Sequence, residues 1–219
     1  MTMPGEKTRY APRVVGYHPR GPNPGLLLVG EAPGPRGANR TGFPFWGDDS
    51  GLSLYGLIES LGLLDAPLQR WKRGADLTGT TPPPGRYAIT NACPQMPLAP
   101  DGGFCAPEPA RLAQEAIRLA SEITTLKPRT VLACGKAATF TLALASQHLQ
   151  HAPPLPLQTK LAGLKLTAAM AALAEGEPWL IGTTRAFVTA HPSRGQWLPQ
   201  TVTGALHARI VARLQAALA

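Results

Sequence analysis

Cysteine is scarce in this chain and poorly spaced. Only Cys93, Cys105 and Cys134 occur in 219 residues, which gives neither an even disulfide framework nor a four-ligand metal site, and no Cys-x-x-Cys pair exists. Acidic side chains are also few. Thirteen Asp and Glu stand against 21 Lys and Arg, a formal charge of +8, a balance that suits a polyanionic partner without requiring one. No apolar run reaches the length of a membrane span, and Met1–Arg9 lacks the apolar core of a secretory signal. These absences lead us to expect a cytoplasmic protein with reduced thiols, nucleoid-associated in a bacterium, and most simply a monomer.

Proline is plentiful instead, with 24 residues that must be absorbed in loops. Residues 1–24, rich in Pro, Gly and Arg, read as an extended N-terminal arm, and 25–219 as a single domain. Leu26-Leu27-Leu28-Val29-Gly30 has the continuous apolar character of a strand buried on both faces. A Gly-rich loop follows it, with Glu31, Asn39, Phe45, Asp48 and Asp49 and no clear helix. Loops of about twenty residues are uncommon in compact domains unless they are functional. Ser50 is the expected N-cap of the next helix, which buries Leu54, Leu57, Ile58 and Leu61. Residues 65–85 carry Arg70, Lys72 and Arg73 around Trp71, either as a solvated surface or as phosphate contacts.

Further strands are expected at Tyr87–Thr90, Thr130–Cys134 and Phe187–Ala190. Pro94, Pro97, Pro100 and Pro107 are expected to exclude regular structure until about Glu108. Helices follow at about 108–126, 135–144 and 201–218, the last burying Val202, Leu206, Ile210 and Leu214. Residues 147–180 are least legible, with Trp179–Ile181 either strand or loop. His148 and His151 have no third ligand nearby. The alternation predicts an α/β fold, a four-stranded parallel sheet with helices on both faces. The strand ends then align Gly30, Asn91 and His191 on one edge, where open α/β sheets bind ligands.

Those residues also carry a resemblance. Gly30-Glu31-Ala32-Pro33-Gly34 resembles the first motif of family-four uracil-DNA glycosylases. Gly37-Ala38-Asn39-Arg40-Thr41-Gly42, with Phe45 and Gly47-Asp48, is closer to family five. Thr90-Asn91 and Ala190-His191-Pro192-Ser193 resemble the remaining motifs of the superfamily. The resemblance implies a three-layer glycosylase fold and a DNA partner containing uracil, mispaired in the duplex. It implies that Gly30 and Glu31 offer backbone donors, Phe45 stacks on a flipped base and Asn91 reads its edge. It further implies that His191 donates to the departing uracil and Asp48 directs water, although Glu31 could be the essential acid instead. The stretch after His191 would enter the duplex, with Trp197 or Leu198 as the wedge and Arg194 at a phosphate. Families four and five carry a four-cysteine iron–sulfur cluster, whereas residues 1–24 here hold no cysteine, so no cofactor and no metal are expected. The activity implied is hydrolysis of the N-glycosidic bond, leaving an abasic site. The alternative is a homologue that binds DNA or damaged bases without turnover.

Overall fold

The structure is a computed structural model that describes residues 8–153, 163–193 and 195–219. Its centre is the apolar run, β2 (Leu26–Gly30), in which Leu26, Leu27, Leu28 and Val29 have no exposed surface. Burial on both faces is possible because parallel neighbours flank β2 on each side. These are β3 (Tyr87–Asn91) and β5 (Thr130–Cys134), with β7 (Thr184–Thr189) beyond β5. The sheet order is β3-β2-β5-β7-β6. It therefore has five strands where four are expected. The fifth, β6 (Trp179–Ile181), runs antiparallel to β7 through a two-residue turn at Gly182, whose φ of 61° suits glycine.

Helices flank this sheet. α2 (Asp49–Ser60) buries Leu54, Tyr55, Leu57 and Ile58. α3 (Pro109–Leu126) has Pro109 at its first turn and ends at Lys127 in the left-handed region, immediately before Pro128. α4 (Lys136–His148) runs a turn beyond the expected Leu144. α5 (Leu166–Glu175) packs on α6 (Val202–Leu218), where Ile210 and Leu214 are fully buried but Val202 is 74% exposed.

Two local expectations are corrected. A single turn of helix, α1 (Ala38–Thr41), lies in the loop after β2. The proline-rich segment after Asn91 contains a strand, β4 (Gln95–Leu98), that pairs with β1 (Arg9–Arg13) in a separate two-stranded sheet. A two-stranded ladder has only edge strands, so Pro97 can sit in one without removing an interior hydrogen bond. Tyr17 continues this docking by pairing with Ile89 on the outer side of β3.

The amino-end edge of the sheet holds basic residues with structural tasks. Arg129 donates to the Leu218 carbonyl at 2.9 Å and Arg86 to the Gly62 carbonyl at 3.4 Å. Both satisfy carbonyls left open where helices end.

Candidate active site

Parallel register brings the site together. Gly30 lies opposite Asn91, Val29 opposite Ala133, and Cys134 opposite Thr189, so the loops after these strands leave from one edge. The chain goes from β2 outward to β3 and then back across to β5, which opens a crevice at the carboxyl end of β2. A cleft of about 850 Å³ lies there, bounded by Glu31, Phe45, Asp48, Gly135, His191 and Ser193 among others.

The innermost contacts are tight. A Cβ on Gly30 would stand 2.4 Å from Phe45 Cε2 and 2.5 Å from Asn91 Oδ1. Only glycine lets the aromatic ring and the amide share this place. Asn91 is 3% exposed, yet neither Oδ1 nor Nδ2 has a hydrogen-bond partner among the described residues. Buried polar groups are nearly always satisfied, so this amide stands out; it does not itself bound the cleft but lies behind Phe45, which does.

The loop between β2 and α2 is held by its own residues. Asp48, not Ser50, is the N-cap of α2, and its Oδ1 accepts the Gly51 N–H at 2.7 Å. Gly51 is required because a Cβ there would collide with the Phe45 carbonyl. Phe45 itself has φ of 60°, a backbone state costing a side-chain-bearing residue about 1–3 kcal/mol that persists only where its surroundings enforce it. Those surroundings are aromatic. Trp46 meets Trp71 and Tyr55 edge-on at 4.7 and 5.2 Å, and its indole N–H donates to Thr80 Oγ1. Burial raises the carboxyl pKa of Asp48, opposed by the Gly51 N–H, and burial alone raises that of Glu31.

His191 faces Phe45 across the cleft, with ring centroids 5.9 Å apart. Burial lowers its pKa to about 4, so the imidazole is neutral at pH 7. The Ser193 backbone N–H donates to His191 Nδ1 at 3.3 Å, and Ser193 Oγ lies 2.9 Å from the same atom. An N–H donor there makes Nδ1 the acceptor, which puts the ring proton on Nε2. A Cβ on Gly135 would lie 3.3 Å from His191 Cβ, so the glycine that opens α4 also seats the histidine.

The loop after His191 separates its two apolar residues. Trp197 donates to the Ala190 carbonyl at 2.8 Å and stacks on His207 at 4.0 Å. It is an anchor. Leu198 is 48% exposed, leaving it as the apolar side chain the loop can project. Arg194 lies outside the described residues. In the 65–85 segment, Arg70 pairs with Glu59 and Arg73 with Asp49, while Trp71 is buried. That segment braces α2.

Sequence reasoning gave no role to four cleft residues, although Ser193 stood in a quoted motif. Arg36 and Lys136 are exposed at its rim with no ion-pair partner among the described residues. Phe104 is 48% exposed there, and Ser193 sets the histidine tautomer. Lys136, directly after a strand-ending glycine, and Ser193, two residues past His191, were detectable by position; Phe104 was not, because its loop is irregular.

The cysteines do not fit a cluster. Cys93 is buried with Sγ directed to the Gln95 carbonyl, Cys134 is sealed in the core at the end of β5, and Cys105 is half-buried in the cleft wall. Among the described residues no three His, Cys, Asp or Glu side chains form a metal-binding group. No helix among them is long and apolar enough to cross a membrane.

Comparison with known proteins gives a family described as the uracil DNA glycosylase superfamily, matching residues 18–215. The chain is similar to a type-5 uracil-DNA glycosylase of Thermus thermophilus, 52% identical over 46 residues, 21% of each chain. It is also similar to one of Mycobacterium leprae, 51% identical over 45 residues, 20% of each. A third, of Mycobacterium tuberculosis, is 49% identical over 45 residues, 20% of this chain and 17% of the relative. The match thus spans about a fifth of the length of these curated relatives.

Proposed function

Because this chain belongs to the uracil DNA glycosylase superfamily, we propose that it removes uracil from DNA as a monofunctional glycosylase. The observation that carries this reading is Asn91: a buried amide, unpaired at both polar atoms, packed against Phe45 at the end of a strand. An amide offers a donor and an acceptor side by side, which matches the edge of a uracil ring. A saturated or apolar ligand would leave it unsatisfied.

The chemistry follows from the groups around it. The target nucleotide leaves the duplex and enters the cleft, a step costing a few kcal/mol and least for a mispaired base. Phe45 stacks on the base, and Gly30 and Glu31 supply backbone donors. As the N-glycosidic bond breaks, its electron pair goes to the base and the sugar becomes cationic. His191, neutral and protonated at Nε2, donates to the uracil oxygen that gains charge, a preorganised contribution worth more in a buried site than in water. Water adds to the sugar carbon and passes its proton to the Asp48 carboxylate, from which it goes by way of solvent to the uracil anion, leaving an abasic site and neutral uracil. Oδ2 of Asp48 is the oxygen suited to this, since Oδ1 accepts the Gly51 N–H in the helix cap. Arg36 and Lys136 take phosphates at the cleft mouth, and Leu198 fills the gap left in the stack.

The test is single-turnover release of uracil from a U·G duplex, read as alkali-labile strand breaks. Asp48→Asn retains the cap, since Asn serves as well as Asp there, but removes the charge; it is expected to slow release at least tenfold, while Glu31→Gln slows it less. Salt-sensitive duplex binding with no uracil release at enzyme excess would replace this reading with binding without turnover.

A further inference from the structure

The α3 face toward β3 carries charges that the proposed chemistry does not use. The side chain of Arg118 is only 16% exposed, and that of Glu115 10%. Arg118 pairs with Glu115 at 2.6 Å and Glu122 at 2.7 Å. Its guanidinium also donates to Thr90 Oγ1 at 3.2 Å, to the Asn91 carbonyl at 2.5 Å and to the Ala92 carbonyl at 3.4 Å. A largely covered cation with two carboxylates is an expensive way to fill space, because desolvation offsets much of the attraction. Its placement therefore calls for another account.

Sheet topology supplies one. β3 is an edge strand, so nothing in the ladder pairs its outer side. Tyr17 covers Ile89 through paired backbone hydrogen bonds, but among the described residues no strand lies beside the next three, Thr90 to Ala92, on that side. Arg118 reaches all three. The same carboxylate, Glu115, holds Arg111, which donates to Gln95 Oε1 while Gln95 Nε2 donates to the Ala11 carbonyl. The network thus ties α3 to the end of β3, to β4 and to the N-terminal arm.

We propose that Arg118 is a positioning residue for base recognition: its planar fork substitutes for a missing neighbour strand and fixes the backbone from which Asn91 reads the base. The inference rests on the uracil-releasing function proposed above. The ionic tether spans the arm and the post-Asn91 segment, where the Cys93 thiol also donates to the Gln95 carbonyl at 3.2 Å. Asn91 cannot fix itself, because its side chain has no partner until a ligand arrives. Its aim is set through its backbone, and Arg118 holds that backbone. Arginine suits the task because it presents several donors in one plane, which lysine does not.

The experiment compares Arg118→Met and Arg118→Lys with the parent chain. A misplacement of about 1 Å in a reading group costs on the order of a hundredfold in rate. Arg118→Met is expected to lose about that factor in kcat on a U·G duplex, with weaker inhibition by free uracil. Its affinity for undamaged duplex should stay within about twofold, since the tether does not face phosphate. Arg118→Lys, keeping charge and one donor direction, should fall between. Amide exchange, followed by mass spectrometry, should accelerate in peptides covering 87–98 while those covering 130–148 keep their protection. Exchange that accelerates uniformly, or activity and uracil inhibition unchanged in a folded Arg118→Met, would overturn the proposal. If the parent chain released no uracil, the function proposed above would fall, and the exchange pattern would still decide whether Arg118 clamps this strand.

Discussion

Gly30→Ala is the most incisive single-atom perturbation of this site. The added methyl would lie 2.4 Å from Phe45 Cε2, 2.6 Å from Phe45 Cζ and 2.5 Å from Asn91 Oδ1, against an ordinary contact distance of 3.4 Å or more. The ring and the amide must each withdraw by about 1 Å. β2 cannot yield in their place, since it is paired on both sides and buried. Phe45 is poorly able to move because its backbone is already strained at φ of 60°. A displacement of about 1 Å in the two groups that contact the base corresponds to about a hundredfold in rate, or roughly 3 kcal/mol in the barrier. Single-turnover uracil release by the folded variant, with circular dichroism to confirm the fold, measures it. A variant within about threefold of the parent rate would refute the reasoning, because it would mean that neither Phe45 nor Asn91 needs its present place.

Asn91→Ala should separate function from stability: uracil release falls at least about a hundredfold, yet Tm holds or rises, because the substitution removes a buried amide that lacks partners. A marked fall in Tm would show that the amide is satisfied in the folded protein. Leu198→Ala should slow release from duplex DNA and spare release from single strands, where no stack has to be refilled, as paired oligonucleotides would reveal. Acidification should destabilise the fold. Burial holds His191 and His207 near pKa 4 against about 6.5 unfolded. Between those values the unfolded chain binds more protons, so stability is full above pH 6.5 and is lost as pH falls toward 4. Glu31 and Asp48, raised by burial, shift stability the opposite way at the acid end of that window. Tm should be lower at pH 5 than at pH 7, and His207→Phe, which keeps a ring against Trp197, should remove part of the drop, the remainder belonging to His191 and to His18, which burial also lowers.

Most of the architecture was legible because it is written in local pattern. Five apolar residues ending in glycine make a doubly buried strand, and α3 repeats its apolar residues at 3.6 spacing. β4 was hidden by Pro97, whose tolerance depends on having a partner on only one side. β6 was undecidable because three residues form a strand only when β7 is there to receive them. Asp48 was readable as an acid but not as a cap: Asp48 and Ser50 are both favoured N-cap residues, and only the geometry of the Gly51 N–H decides between them.

The sequence by itself determined that Gly30 and Asn91 end strands and that His191 follows one, since strand limits follow from hydrophobic runs and the turns that stop them, although β7 starts three residues before the expected Phe187 and stops at Thr189, before Ala190. The count of three cysteines, with no Cys-x-x-Cys pair, was likewise readable without any structure. Tertiary structure alone decided which groups remain open for a ligand. Asn91 is unpaired because Phe45 and Gly30 enclose it without offering a donor, Trp197 is spent because His207 lies beneath it, and Arg118 reaches the Asn91 carbonyl because α3 crosses an uncovered edge. Such availability is a property of what surrounds a residue. Neighbours separated by tens of positions in the chain set it, and no local pattern records them.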